Sequence, residues 1–444
     1  MGASRVSPLI NGQATTTMST RSSRQPRPSP QPTFVLGTYQ SDFARHRARE
    51  LDTIATLLAE ATLGVLADAG VEPAEVEVGH VGNFAAGLYA NQRHLGGLLV
   101  EAHPDLVGVP TTRHEAACAS GSVAVLAAMA DLEAGRYDVA LVVGAELMRT
   151  MGAFEAQQGL GTAAWVPSET DGVDWPWPQL FSDLGDAYDR RYGLDDTHLA
   201  AIARSNFDNA TRNPRAQTRN WTLDDASFSR HDDQANPQVA GRIRRQDCSQ
   251  VTDGCAAVIL ASPRFAEQWR RRRGPTTDSA GIPRITGWGH HTDRMALADK
   301  LADAEAAGST HVLPNVRFTV TDALSRAGMD LWDLDAIETH DCFTTTHYMA
   351  IDHFGITEPG ASWQAIDDGI CDFDGRLPVN PSGGLMGVGH PVGASGVRML
   401  ADQVRQVTGT AGDYQVPGAR RAATLNIGGS ATTCVSLIVE SGTG

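Results

Sequence analysis

The stretch CASGSVAVLAAMADLEAG, residues 118–135, is similar to a second stretch of the same chain, GASGVRMLADQVRQVTG, residues 393–409. Each places a small Ala-Ser-Gly turn at the start of an apolar helix. A second pair of segments, residues 66–84 and 324–343, precedes the first pair in the same order. Each of these two segments predicts a helix that ends in Ala-Gly, followed by an acidic turn and then by a short strand. Two matches in the same order indicate that the chain consists of two similar halves.

Buried strands alternate with helices along both halves. Residues 138–146 form a run rich in β-branched side chains, typical of a strand that is buried on both faces. Residues 254–261 and 422–440 have the same character. This alternation predicts an α/β fold.

The boundaries of the halves follow from the repeat. We place the first half at residues 34–262 and the second at residues 284–441. Residues 150–248 have no counterpart in the second half, and they predict an inserted loop domain of the kind that commonly builds a substrate site. Residues 1–33, rich in Ser, Thr, Arg and Pro, predict a disordered tail.

Composition narrows the class of protein. The net charge of −16 argues against nucleic-acid binding, and no apolar run is long enough to span a bilayer, so we expect neither kind of partner. Six cysteines without a Cys-x-x-Cys pair indicate free thiols in a reducing compartment. We therefore expect a cytoplasmic protein without a bound metal. Lys300 is the only lysine, which confines any lysine chemistry to that position.

Cys118 lies at the junction between a turn and the first repeated helix. A helix N-terminus favours a thiolate and could hold an oxyanion, as acyl transfer requires, although a lone cysteine here is more often a small core residue. The repeat favours a nucleophilic role for Cys118 over a place in the core. His390 lies three residues before the matching Gly393, so that an imidazole would face Cys118 if the halves pack symmetrically. Such an imidazole can accept the thiol proton, and the glycines of residues 383–389 leave room for a ligand.

A polar segment, ETHDCFTTTH, spans residues 338–347 and follows a short predicted strand. His340 and Cys342 lie two apart, on the same side of an extended loop, and could supply a hydrogen-bond donor and a second acid/base thiol. Taken alone, the segment is slightly more typical of a structural loop. We interpret the remaining cysteines and two neighbouring histidines as structural: Cys248, Cys255, Cys371, Cys434, His114 and His347.

These motifs resemble those of the thiolase superfamily over nearly the whole chain from about residue 34. EAACASGS, residues 115–122, is similar to the nucleophile motif. NPSGGLMGVGHPVGASG, residues 380–396, is similar to the late glycine-rich histidine motif. HDCF, residues 340–343, stands where many thiolases carry Asn-Glu-Ala-Phe and resembles the sterol-carrier-protein type of thiolase.

One motif departs from the pattern. Many thiolases carry a second catalytic cysteine in a Cys-x-Gly motif near the C-terminus, whereas this chain reads Asn426-Ile427-Gly428. In the sterol-carrier-protein type, the cysteine of the His-Asp-Cys-Phe loop is thought to take that role. The resemblance therefore makes Cys342 the candidate replacement.

The resemblance implies a role for each site residue. Cys118 would carry the acyl group as a thioester, and His390 would activate Cys118. His340 would hold the enolate oxygen of the second thioester, and Cys342 would move protons at the α-carbon or to the leaving group. The N–H groups of Cys118 and Gly428 would form the other oxyanion hole.

The resemblance also implies a thiolase fold, with two halves whose central mixed sheets pack around shared helices. The activity it implies is that of a coenzyme-A-dependent acyltransferase of lipid metabolism. Such an enzyme cleaves a 3-oxoacyl thioester with coenzyme A or runs the reverse Claisen condensation. Coenzyme A would be a co-substrate rather than a permanently bound cofactor, and Ser249 and Phe343 would line the channel for its pantetheine arm. We expect a homodimer or homotetramer; the sequence leaves the direction and the acyl chain open.

Three other functions remain open. An acyltransferase or retro-aldolase of the same fold could work with a small partner chain, a ketosynthase could use a carrier-linked substrate, and a lipid-binding protein could lack catalysis. Relatives that work with a partner often lose the nucleophile or the histidine. Cys118, His340, Cys342 and His390 are all present here, which favours the thiolase.

Overall fold

The computed structural model describes residues 31–273 and 281–442. The predicted disordered tail lies outside the described residues up to residue 30, and the first strand already begins at Thr33. The strands are β1 (Thr33–Gln40), β2 (Val78–Gly82), β3 (Thr111–His114), β4 (Val139–Glu146), β5 (Gln238–Ala240), β6 (Ile243–Arg244), β7 (Gly254–Ala261), β8 (Arg284–Thr292), β9 (Ala336–Thr339), β10 (Arg421–Gly428) and β11 (Thr433–Glu440). The α-helices are α1 (Ile54–Ala69), α2 (Ala86–Tyr89), α3 (Leu95–Leu99), α4 (Ser120–Glu133), α5 (Ala153–Leu160), α6 (Pro176–Tyr192), α7 (Asp196–Ala210), α8 (Pro263–Arg273), α9 (Leu297–Ala306), α10 (Pro314–Ala327), α11 (Thr344–Phe354), α12 (Ser362–Asp367), α13 (Gly384–Val388) and α14 (Val392–Thr408).

Across these two described ranges, nine strands form one mixed sheet in the order β3-β2-β4-β7-β1-β8-β11-β10-β9. The antiparallel pair β1–β8 joins the strands of the two halves. Moving outward from it, each half has two antiparallel pairs followed by a parallel pair: β1–β7, β7–β4 and β4–β2 on one side, and β8–β11, β11–β10 and β10–β9 on the other. The prediction of an α/β fold with two similar halves is confirmed, and the two sheets are continuous. The residue boundaries assigned to the halves stay a prediction.

The connections between strands repeat as well. α1 and α10 both end at a glycine in the left-handed region, Gly70 at φ 57° and Gly328 at φ 68°. A short 3-10 turn with acidic residues follows each glycine, Pro73–Glu75 in the first half and Leu331–Asp333 in the second. In both turns, an acidic side chain accepts a hydrogen bond from the backbone N–H of the residue that precedes the turn, so the chain enters β2 and β9 in the same way.

Helices α4 and α14 pack against each other at the centre of the molecule. Their contact depends on glycine: a Cβ on Gly121 would lie 2.9 Å from the carbonyl oxygen of Gly393 and 3.0 Å from the amide nitrogen of Val397. A Cβ on Gly144, in β4, would lie 2.6 Å from the same Gly393 oxygen. Backbone therefore packs on backbone here, and no side chain separates the two helix starts.

The segment between β4 and β7, predicted as a loop domain, is built largely from helices α5, α6 and α7, with a small β5–β6 ribbon. Several of its side chains bond to the second half; for example, Tyr188 Oη donates to Asp352 Oδ2 over 2.6 Å, and Asn206 Nδ2 donates to Asp341 Oδ2 over 3.0 Å. α6 is amphipathic, with Phe181 and Leu184 among its buried side chains, so a helix was a better expectation than a loop. Among the described residues, no helix is both long and apolar enough to cross a membrane.

The glycine contact gives a stability prediction. Gly121→Ala should lower the free energy of unfolding by about 1–3 kcal/mol, because its Cβ meets backbone atoms that cannot rotate away. Gly97→Ala is the matched control, since the nearest atoms to its Cβ belong to the His94 ring at 3.6 Å. Urea unfolding of both variants measures the difference, and equal stability of Gly121→Ala and the wild type would contradict the prediction.

Candidate active site

Cys118 lies in a tight turn just before α4. Ala117 has a φ of 51°, a conformation that side-chain-bearing residues rarely adopt, so the backbone reverses sharply before the cysteine. The Ser120 hydroxyl holds this turn, because it accepts from the Ala116 N–H over 3.0 Å and donates to the Ala117 carbonyl over 2.6 Å. The turn leaves the thiol of Cys118 partly exposed to a pocket.

His390 lies between α13 and α14, and its backbone N–H donates to Thr252 Oγ1 over 2.9 Å. Its Nδ1 lies 2.7 Å from Ser395 Oγ, and that hydroxyl is 3.1 Å from the Pro391 carbonyl, to which it can donate. These partners favour a proton on Nδ1. Nε2 is then an unprotonated acceptor, and it is buried without a hydrogen-bond partner in the part of the chain that the structure describes. A base needs such a lone pair.

His340 has the complementary arrangement. The Asn426 amide lies 3.1 Å from Nδ1 of His340, and its Oδ1 accepts from Ser122 Oγ over 2.9 Å. This orientation makes Asn426 the donor to Nδ1, so the ring proton of His340 sits on Nε2, which is also buried without a partner. From the sequence, position 426 was notable only because the cysteine of many thiolases is absent there. In the structure, the Asn426 side chain orients the ring of His340.

The structure brings together three of the predicted site residues. Ligand-type atoms of Cys118, His340 and His390 all lie within 4.8 Å of one another, and the two imidazole rings are 5.2 Å apart at 83°. A metal ion could also use this spacing, so the expectation of a metal-free site stays a prediction. Burial lowers the pKa of His390 to about 3 and that of His340 well below its usual value, with the Arg398 guanidinium adding to both effects. Both rings are therefore neutral at physiological pH.

The thiol of Cys118 is also neutral at rest. Burial raises its pKa to about 12, although the N–H groups of Gly429 and of Cys118 itself oppose the rise. The helix N-terminus was expected to favour a thiolate, and desolvation outweighs that effect here. The resting pair is therefore a thiol beside a neutral imidazole, poised for proton transfer only when the sulfur attacks.

Gly428 was predicted to supply an N–H group to the oxyanion hole, and that role stays a prediction. The N–H of the next residue, Gly429, lowers the pKa of the Cys118 thiol, as does the N–H of Cys118 itself. Gly428 packs against the cysteine turn, where a Cβ would lie 3.2 Å from the Ala119 nitrogen. Its small size lets the C-terminal strand approach Cys118.

A pocket of about 440 Å³ opens beside Cys118. Both predicted coenzyme A contacts, Ser249 and Phe343, line it; Ser249 N–H donates to the Cys342 carbonyl over 2.9 Å, and Phe343 stacks on Phe181 at 4.8 Å. Most of the lining is apolar and comes from the inserted segment and from the loop before β7: Leu160, Trp175, Trp177, Pro178, Phe181, Val239 and Val251.

Cys342 lines the same pocket, as expected for a second thiol. Burial raises its pKa, and the neighbouring Cys118 adds to the rise, so this group is also a protonated thiol. Cys248 was interpreted as structural and yet lines the pocket, whereas Cys255 and Cys434 lie inside strands β7 and β11.

Two histidines near the motifs take structural positions. His114 Nε2 lies 2.9 Å from His80 Nδ1, and His347 Nδ1 lies 3.2 Å from the Asn206 amide. Burial lowers the pKa of both, so they are neutral packing groups rather than members of the site.

Two buried carboxylates hold the site loops. Asp341 accepts from the Leu385 N–H over 2.6 Å and thereby ties the HDCF loop to α13. Glu146, at the end of β4, accepts from the N–H groups of Phe84 over 2.8 Å and Gly393 over 3.0 Å, so it joins both halves at the start of α14. Burial raises the pKa of each to about 7. Asp341 stood inside a quoted motif, whereas Glu146 carried no sequence signal.

The state of Cys118 is testable by alkylation. With its pKa raised, only a small thiolate fraction exists at neutral pH, and this fraction grows tenfold for each pH unit. The rate of Cys118 modification by iodoacetamide, followed by peptide mass spectrometry, should therefore rise steadily from pH 6 to pH 9. A rate that levels off near neutral pH would mean that a thiolate is already formed, against this prediction.

Comparison with known proteins gives the family. Residues 33–220 match the family model described as "Thiolase, N-terminal domain", and residues 303–441 match "Thiolase C-terminal domain-like". An acetyl-CoA acetyltransferase of Methanothermobacter thermautotrophicus is 33% identical over 381 residues, which cover 85% of this chain and 92% of the relative. Sterol carrier protein 2 of Gallus gallus is 28% identical over 91% of this chain and 71% of the relative.

Solved structures have the same fold. A structure titled "Ltp2-ChsH2(DUF35) aldolase" superposes with a TM-score of 0.73 at 21% identity, over 94% of this chain and 99% of that one. Human mitochondrial 3-ketoacyl-CoA thiolase in complex with CoA has a TM-score of 0.62 at 16% identity, over 94% and 100%. With both halves matched and the motif residues gathered at one pocket, this chain belongs to the thiolase family.

Proposed function

We propose that the chain is a coenzyme-A-dependent thiolase, an acyltransferase that cleaves 3-oxoacyl-CoA with coenzyme A or runs the reverse condensation. The observation that carries the proposal is the convergence of Cys118 with two histidines of opposite hydrogen-bonding character. His390 offers a bare Nε2, and His340 offers an Nε2 proton. Acyl transfer with carbon–carbon cleavage needs one base and one donor at these places.

In the cleavage direction, Cys118 Sγ attacks the 3-oxo carbonyl, and its proton passes to His390 Nε2. The N–H groups of Cys118 and Gly429 stabilise the oxyanion, with Gly428 allowing the close approach. The bond between C2 and C3 then breaks, and the electron pair moves onto the thioester oxygen of the leaving enolate, which accepts a hydrogen bond from the Nε2–H of His340. One such donor typically contributes about 3 kcal/mol to catalysis.

Cys342 completes the proton balance. Its thiol protonates the α-carbon of the enolate and releases acetyl-CoA, while the shortened acyl group stays on Cys118; this step leaves a thiolate at Cys342. That thiolate takes the proton of the incoming coenzyme A, whose sulfur attacks the acyl group on Cys118. The departing Cys118 sulfur recovers its proton from His390, and every group returns to its starting state.

Coenzyme A is the co-substrate in this scheme, and its pantetheine arm would run past Ser249 and Phe343. Arg245 lies at the pocket and donates to the Ala235 carbonyl. Its neighbour Arg242 is held by three aspartates, so Arg245 is the better placed of the two to meet a phosphate group.

The remaining features of the proposal rest on the resemblance. We expect a homodimer at least, a cytoplasmic location and no permanently bound cofactor. A small partner chain is an alternative requirement, because the structurally similar aldolase is titled as a complex with a DUF35 chain. The retro-aldolase, ketosynthase and lipid-binding alternatives would not need all of Cys118, His340, Cys342 and His390.

An acyl-enzyme test addresses the nucleophile. Incubation with acetoacetyl-CoA and an acid quench should leave an acyl group on Cys118, detected by peptide mass spectrometry. His390→Ala should abolish this adduct at neutral pH, because the protonated thiol loses its base. Cys248→Ser, which alters another pocket thiol, is the control and should still acylate. Turnover without any adduct on Cys118 would refute the nucleophile assignment.

A second variant separates the two thiols. Cys342→Ala should still allow acylation of Cys118 by acetyl-CoA, because coenzyme A can leave as a thiolate without a proton from Cys342, whereas the α-carbon of a leaving enolate needs one. Cleavage of acetoacetyl-CoA should fall by about a hundredfold or more, since general acid–base catalysis contributes 10²–10⁴-fold. Equal losses in acylation and in cleavage would argue against a separate proton-transfer role for Cys342.

A further inference from the structure

Lys300, the single lysine of the chain, is buried in α9 with 1% of its surface exposed. Its Nζ donates to three oxygens: the Ser430 carbonyl at 2.7 Å, the Ser430 hydroxyl at 2.7 Å and the Thr432 hydroxyl at 2.8 Å. An ammonium group has three donors and no acceptor, so this set uses all of them. All three oxygens belong to the turn between β10 and β11, residues 429–432.

That turn carries the donor that faces the nucleophile. Gly429 opens it and lines the same pocket as Cys118, and the Gly429 N–H lowers the pKa of that thiol. Gly429 and Ala431 both have a φ of 64°, which is an unfavourable conformation for the alanine. A turn with such backbone strain keeps its shape only when its surroundings hold it, and Lys300 supplies three bonds to its middle and end.

We propose that Lys300 is a positioning residue for the oxyanion hole: its ammonium holds the turn 429–432 so that the Gly429 N–H stays directed at Cys118. This inference rests on the proposed function for the reaction at Cys118, but it concerns a residue that does not touch the substrate. The anchor also reaches the inserted segment, because Glu169 accepts from the Leu297 N–H at the start of α9 over 2.7 Å.

The chemistry of the site explains why a lysine stands here in a chain whose other side-chain cations outside histidine are arginines. A guanidinium is planar and larger, and it cannot direct three tetrahedrally arranged donors at the same three oxygens. Cys434 is near the ammonium, but burial raises its own pKa to about 12, so it is a neutral thiol there. Burial lowers the pKa of Lys300 to about 8, although the carboxylates of Asp293 and Glu169 favour its charged form. Above that pH the neutral amine has two N–H donors for three acceptors, so the turn loses one bond.

The uniqueness of Lys300 allows a direct measurement. Growth on ¹³C-labelled lysine gives one side-chain Cε resonance, whose shift follows protonation of Nζ. We expect this resonance to titrate near pH 8 and the kcat of the wild type to fall with the same midpoint. A wild-type kcat that stays constant through the titration of Nζ would overturn the inference.

Variants test the positioning role. Lys300→Met keeps the chain length but removes the donors, and kcat for acetoacetyl-CoA cleavage should fall by about tenfold to a hundredfold, with KM changed less than threefold. Lys300→Arg should not restore kcat, and Thr432→Val, which removes one acceptor, should give an intermediate loss. Arg271→Met, which removes an exposed cation from α8, is the control and should leave kcat unchanged.

A melting temperature for each variant distinguishes misfolding from lost positioning. If Lys300→Met fails to fold, Thr432→Val provides the test, because this variant keeps the Lys300 ammonium and both Ser430 acceptors in place. Full kcat in a folded Lys300→Met or Thr432→Val protein would refute the inference. Failure of the proposed function looks different, since the wild type itself would then neither form the Cys118 adduct nor cleave the thioester.

Discussion

The close contact between α4 and α14 governs the arrangement of the whole site. Cys118 precedes one of these helices and His390 precedes the other, so the distance between sulfur and imidazole is set by how near the two helix starts can come. Gly121 and Gly393 allow backbone to rest on backbone, and Gly144 in β4 allows the strand beneath to do the same. The pseudo-symmetry of the sheet explains why such a meeting point exists: equivalent helices from two similar halves cross at the axis that relates them.

Around this meeting point, the environment rather than the identity of each group decides its chemistry. Two histidines lie side by side, and their hydrogen-bond partners give them opposite tasks: Ser395 leaves a bare nitrogen on His390, while Asn426 leaves a proton on His340. Burial in a site of low polarity keeps Cys118 and both histidines uncharged at rest, because it raises the pKa of Cys118 and lowers that of His390. The charge that appears during acyl transfer is thereby confined to the moment when the backbone donors can stabilise it.

The sequence was sufficient for the fold and for Cys118 and His390, because the repeat shows which helix starts correspond and which residues precede them. His340 was identified only through the resemblance of the HDCF loop to that of the sterol-carrier-protein type of thiolase. It was insufficient where distant segments meet. The donor role of Gly429, the orienting role of Asn426 and the place of Cys248 in the pocket all depend on contacts between residues far apart in the chain. The protonation state of Cys118 depends on burial, which local motifs do not report. The inserted helices were mistaken for loops because their proline and tryptophan content obscured the amphipathic pattern of α6.

The burial of Lys300 has a consequence for the chemistry of the whole surface. Thioesters acylate free amines without any catalyst, and lysine side chains are the usual targets on proteins that handle them. Lys300 is the sole lysine and only 1% of it is exposed. A protein of this composition presents guanidinium groups, which remain protonated, so its surface offers no lysine amine to the activated acyl groups that pass through its pocket.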